Sequence, residues 1–226
     1  MNLSAHTREW VSSVEIERRT ARFWIVVVLL EGFLLLAYFA LTTAEPTTEV
    51  RYLVYPFVWI NAGLWAVRRV TPTPGTRTHR AVGIVIAIAY LFVVLYIPGT
   101  IGFGATGTPT DLRIAMYAPG WGPLVAFTSP WLRLYLVPFE VLGYASLAYL
   151  VYANVLDLTR STFSGALGLV TCVGCTVPVL TPLVGVLGGP AAGLTTTAYA
   201  WSYDIGTIIF LLTVGLLSWS HRRSRS

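Results

Sequence analysis

Arg22-Phe-Trp-Ile-Val-Val-Val-Leu-Leu-Glu-Gly-Phe-Leu-Leu-Leu-Ala-Tyr-Phe-Ala-Leu-Thr42 carries one charged side chain, Glu31, between its flanking Arg22 and Thr42. About 20 apolar residues, rising 1.5 Å each as a helix, cross the roughly 30 Å of bilayer hydrocarbon. This run is of that length. Working outward along the chain, five further apolar runs appear, at about 52–67, 81–102, 131–156, 165–187 and 198–219. In lipid every backbone amide must be satisfied within its own segment, so runs of this kind predict helices, whereas a barrel would show alternating strands of about ten residues. The expected fold is all-α: one polytopic membrane domain over 1–226, a bundle of six transmembrane helices.

Composition agrees with that class. Hydrophobic residues make up 55% of the chain and charged residues 11%, against about 25% charged in a soluble domain. All fifteen basic Lys or Arg positions are arginines. They are dispersed among short connecting segments rather than gathered on one face, which speaks for membrane topology and against a nucleic-acid partner. Arg8, Arg18, Arg19 and Arg22 precede the first run, Arg68, Arg69, Arg77 and Arg80 follow the second, Arg160 follows the fourth, and Arg222, Arg223 and Arg225 follow the sixth. The alternate connections hold only Arg51, Arg113 and Arg133. Positive residues accumulate on the cytoplasmic side. Both ends are therefore expected inside, with 1–21 and 220–226 cytoplasmic, 103–130 an outer loop, and the bilayer of the plasma membrane as the surroundings.

No cleavable signal is expected, because Glu9, Glu15 and Glu17 precede the first apolar run. Trp10-Val-Ser-Ser-Val-Glu-Ile-Glu-Arg-Arg19 reads as a short helix on the cytoplasmic interface. In the outer connection, the prolines and glycines around Ala118-Pro-Gly-Trp-Gly-Pro123 rule out a regular helix. Its Met116, Tyr117, Trp121, Leu124 and Phe127 are too apolar for free solvation, so the segment is expected to lie at headgroup depth or to cap the bundle.

The two cysteines, Cys172 and Cys175, are three residues apart in the apolar stretch Gly165-Ala-Leu-Gly-Leu-Val-Thr-Cys-Val-Gly-Cys-Thr-Val-Pro-Val-Leu-Thr-Pro182. Pro178 and Pro182 lack the amide that a helix would pair with the carbonyls four residues earlier, and broken helices at membrane depth occur where they line a cavity or are buried in protein. Three readings stand side by side. The cysteines could pack as small apolar residues in a stripe with Gly165 and Gly168. They could form a redox-active dithiol. They could bind a soft metal, Cu(I) being the ion two thiolates suit, with His6, His79 and His221 all expected in cytoplasmic segments.

Cys175-Thr-Val-Pro178-Val-Leu-Thr-Pro182 resembles the Cys-x-x-Pro-x-x-Pro signature of thiol-reductant transporters of the cytochrome c biogenesis CcdA/DsbD type. That resemblance implies about six helices and intramembrane cysteines that pass reducing equivalents outward, although in that family the cysteines lie on two distant helices. Over its length, through Tyr55-Pro-Phe-Val-Trp-Ile-Asn-Ala-Gly-Leu-Trp65 and Thr171-Cys-Val-Gly-Cys-Thr-Val-Pro178, the chain is similar to uncharacterised multi-pass membrane proteins of haloarchaea, a resemblance that supplies no activity.

Ionisable and polar residues inside apolar runs are costly and usually face a bundle interior. Glu31, Asn61 and Glu140 each fall about nine residues into their runs, near the midplane with Cys175, and are expected to form one polar layer. Asp204 is expected near the outer face, with Arg133 or Arg113 to neutralise it. No phosphate-binding or cofactor fingerprint appears, and a nucleophile in the membrane would lack a histidine base. Apart from thiol-disulfide exchange at the cysteines, no enzyme chemistry is expected. The function classes are an accessory or transport protein handling copper or thiols, an intramembrane thiol-disulfide oxidoreductase, and a scaffold subunit working with other membrane proteins.

Overall fold

A computed structural model describes residues 3–42, 50–72, 75–104, 109–158 and 192–223, with side chains described from residue 18 and, in the last segment, over 203–221. Five helices and one small sheet occupy these residues. Four helices carry stretches long and apolar enough to cross a membrane: Arg18–Leu41, Arg77–Tyr96, Pro138–Asp157 and Tyr203–His221. The protein is mostly helical with membrane-spanning character, as the hydrophobic runs predict. The sheet is a departure from an all-α fold.

The N-terminal unit, ending at Pro46, is built on α1 (Leu3–Leu41), a single helix of 39 residues. The separate interfacial helix expected at Trp10–Arg19 is the first part of this element. No proline or glycine interrupts the sequence before Gly32, so nothing breaks the backbone where it turns from charged to apolar.

In the second unit the helices are α2 (Val50–Arg69), α3 (Arg77–Tyr96), α4 (Pro138–Leu158) and α5 (Ala192–Arg223). α3 stops earlier than the apolar run, because Pro98 cannot continue a helix and Gly99 turns the chain at φ +83°. Beyond this turn the chain forms a four-stranded antiparallel sheet of β1 (Ile101–Phe103), β2 (Asp111–Ala115), β3 (Leu124–Thr128) and β4 (Leu132–Leu136), in the order β1-β4-β3-β2. Trp131–Leu136, assigned by its apolarity to the fourth helix, is thus largely strand. Leu132, Leu134 and Leu136 alternate with Arg133 and Tyr135, a period of two, and α4 begins only at Pro138, a residue suited to a first helical turn.

α4 is the central element. Trp59 of α2 and Phe210 of α5 meet at Gly143, where an added Cβ would overlap the Trp59 ring. Further along, Gly63 of α2 faces Ser146, and the Tyr149 hydroxyl donates to the Val70 carbonyl at 2.9 Å. Asn154 Nδ2 donates to the Leu217 carbonyl of α5 at 3.2 Å. Partner numbers rise together in all these contacts, so α2, α4 and α5 run in the same direction. α3 opposes them, since Gly75 lies against Leu156 while Gly83 lies against Tyr152. Small residues at these crossings let the backbones approach, which in lipid replaces the hydrophobic drive available in water.

Parallel α4 and α5 have a topological consequence. α4 finishes at one end of the bundle and α5 begins toward the other. Arg68, Arg69, Arg77, Arg80, Arg222 and Arg223 sit at the end where α4 finishes, and Arg51, Arg113 and Arg133 at the end where it starts.

Candidate functional site

The polar chemistry of the second unit collects at the two ends of the helices. At the sheet end, assembly starts from Pro56 inside α2. Proline has no amide hydrogen, so the Tyr52 carbonyl loses its partner four residues on. Trp121, from the loop between β2 and β3, donates its indole N–H to that carbonyl at 2.6 Å. Gly120, with φ +86°, lies directly on the Pro56 ring, where a side chain would collide. The loop is therefore keyed to the proline break, which turns the expected capping role of this segment into defined contacts.

One turn away, Arg51 and the Tyr55 hydroxyl both engage Asp204 of α5, the guanidinium at 3.1 Å. Asp204 is near this end as expected, but its cation is Arg51 in place of Arg133, whose guanidinium lies over Gly102 of β1. The reason is topological: parallel packing sets the start of α2 beside this part of α5, while β4 holds Arg133 on its exposed side. Tyr52, Trp121 and Tyr203 pack edge to face, with Trp121 and Tyr203 4.7 Å apart between centroids. Below them Trp59 stacks on Phe210 at 4.1 Å, meets Phe139 and Tyr144 edge-on, and donates to Thr207 Oγ1 at 3.0 Å.

Glu140 belongs to this end also. Because α4 starts at Pro138, Glu140 is in its first turn, where the helix dipole favours a carboxylate, and within electrostatic reach of Tyr144 and Tyr203. The midplane depth expected for it rested on a helix starting at 131 and is corrected by the strand. Asn61 lies in the middle of α2 and donates to the Phe57 carbonyl of its own helix at 2.9 Å. Those two therefore occupy different depths. Glu31 is half-buried in α1, in the N-terminal unit. Cys172, Cys175, Pro178 and Pro182 lie outside the described residues.

At the opposite end, Asp157 of α4 pairs with His221 of α5, their side chains 5% and 2% exposed. Asn154 bridges the same two helices beside them, donating both within α4, to Leu150, and across to Leu217. The helix continues past residue 219, where the sixth apolar run ends, through Arg223, and His221 is buried. The stripe Thr207, Phe210, Val214, Leu217, His221 recurs every three or four residues, so His221 continues the buried face. Seventeen residues separate Glu140 from Asp157 and Asp204 from His221, about 26 Å at 1.5 Å per residue. That spacing sets both polar layers near the limits of a hydrocarbon slab of about 30 Å.

Among the described residues no group of three or more His, Cys, Asp or Glu is arranged to hold a metal ion. In the sheet-end cluster the carboxylate of Asp204 is matched by a cation and a phenol, and the rings fill one another's space. Its chemistry is that of a clasp between helix ends.

Four helices long and apolar enough to cross a membrane, with polar clasps about a bilayer's thickness apart, are what a polytopic membrane protein would have. The chain belongs to the family of unknown function DUF7546, whose model matches residues 3–224. No curated protein and no solved structure matches it.

Proposed function

We propose that this is a six-helix protein of the plasma membrane with both ends cytoplasmic, a non-enzymatic accessory or transport protein that handles copper or thiols through Cys172 and Cys175. The carrying observation is the parallel course of α4 and α5. What supports a sixth crossing is the apolar run at about 165–187, which holds both cysteines and is long enough to span a bilayer. The arginine-rich end of the second unit supports an inward assignment for that end. Reporter fusions after Arg77 and Arg222 are expected to score inside, and those after Glu45 and Thr110 outside. An outside score at the C-terminus contradicts this topology.

Two thiols brought together in a crossing would suit a soft monovalent ion or thiol-disulfide exchange. Metal content and thiol titration of the purified full-length protein separate the possibilities: bound copper, an exchangeable disulfide, or two inert thiols. Cys172→Ser is expected to abolish copper retention or redox-dependent thiol labelling while helicity is kept. If Cys172→Ser and Cys175→Ser each leave metal, labelling and growth phenotype unchanged, the pair is packing and the proposal fails.

A further inference from the structure

The sheet has two unlike faces. In an antiparallel sheet paired residues share a face, and the register pairs Leu112 with Phe127, Ile114 with Val125, Phe127 with Leu134, and Phe103 with Leu132. One side is accordingly apolar across all four strands. The other carries Arg113 opposite Ala126, Ala126 opposite Tyr135, and Thr128 opposite Arg133, with Arg113 also paired to Asp111. On the apolar side the rim residues stand open, Phe103 at 54%, Leu112 at 62% and Ile114 at 63% exposure. A contiguous apolar face of this kind needs an occupant.

Three observations select lipid. The sheet is tied to the plane in which two membrane helices end, since α3 finishes at Tyr96 just before β1 and α4 begins at Pro138 just after β4. Phe103, on the apolar side, packs on Phe92 and Tyr96 of the last turns of α3 at centroid distances of 6.1 Å, and both of those rings are exposed on a candidate spanning helix. The open surface of that span thus continues without interruption onto the sheet. Trp131, at the tip of the β3–β4 turn, is 82% exposed, the setting in which tryptophan anchors to a headgroup region. The edges of β1 and β2, unpaired among the described residues, set the depth, because free strand edges are not tolerated within hydrocarbon.

We propose that the four-stranded sheet is a lipid-docking surface, lying in the headgroup layer with its Phe103, Leu112 and Ile114 side against the acyl-chain boundary and its Arg113 and Arg133 side toward water. This reading is independent of what the cysteines do. It is tested on the full-length protein in phosphatidylcholine and phosphatidylglycerol vesicles, with nitroxide labels at Leu112→Cys or Arg113→Cys in a Cys172→Ser/Cys175→Ser background of unchanged helicity. The ratio of collision with oxygen to collision with a water-soluble nickel chelate is expected to be several-fold higher at 112 than at 113. Equal nickel access at both positions overturns the proposal. So does a label at 112 shielded from oxygen and nickel alike with spin-spin broadening, the result for a second copy seated on the face. The unmodified chain gives a second readout: a diazirine phospholipid should cross-link to peptides holding Phe103 and Leu112–Ile114, and labelling confined to helix peptides refutes docking.

Discussion

Trp59→Ala is expected to cost the bundle the largest single loss of stability among apolar substitutions in the second unit. Its ring contacts Phe139 and Tyr144 edge-on, lies flat on Phe210, fills the notch at Gly143 and donates to Thr207. Removing a buried tryptophan in a soluble core costs roughly 3–5 kcal/mol through lost transfer energy plus a cavity. In a bilayer the alternative environment for apolar surface is lipid, so the transfer part shrinks while the cavity and lost contacts remain. The low end of that range is the expectation, read as a lowered thermal midpoint in detergent. Gly143→Val attacks the same junction from the opposite side, because its Cβ would overlap a rigid ring that has nowhere to move. Leu212→Ala, at an exposed position of α5, should leave the midpoint nearly unchanged. Equal effects at 59 and 212 would contradict the central place given to Trp59.

The second large effect is expected at the Asp157–His221 pair. Both groups are almost fully enclosed, and removing one partner of a buried pair leaves the other without compensation, typically at about 3–5 kcal/mol. Asp157→Ala and His221→Ala should each destabilise by that order. Replacing both by apolar residues of similar bulk removes the stranded polar group, so Asp157→Leu/His221→Leu should be less damaging than either single change. Chemical or thermal unfolding of the three variants measures the coupling. Strictly additive losses would mean that the two side chains stabilise independently.

How much of the fold is legible in the sequence differs from residue to residue. The run at 22–42 coincides with the apolar part of α1 to within one residue, and the run at 52–67 falls within α2, because helix formation in lipid depends on local apolarity and length alone. The 132–136 strand is written in the sequence as Leu-Arg-Leu-Tyr-Leu, yet summed hydropathy hides a period of two when the alternating residue is tyrosine. Counting that strand as helix moves Glu140 from the first turn of α4 to an assumed midplane. Pro56 offers a signal of its own: a proline within a helical run leaves a carbonyl that some donor must meet, although which donor is not a local property.

His221 shows the same boundary from another side. Arg222, Arg223 and Arg225 beside it argue for a solvated tail, and only continuation of the stripe at three- and four-residue spacing points inward. By itself the sequence determined the span-length apolar character of the chain, most of its helical segments and the uneven distribution of arginine, since each depends on local apolarity or on charge at segment ends. Tertiary structure alone decided that α2, α4 and α5 run together, that Arg51 meets Asp204 across 153 positions, that Asp157 meets His221, and that Trp121 answers Pro56. Those are pairings between distant segments, chosen by which helices pack side by side, and hydropathy carries no information about partners because lipid and a neighbouring helix are equally apolar surroundings.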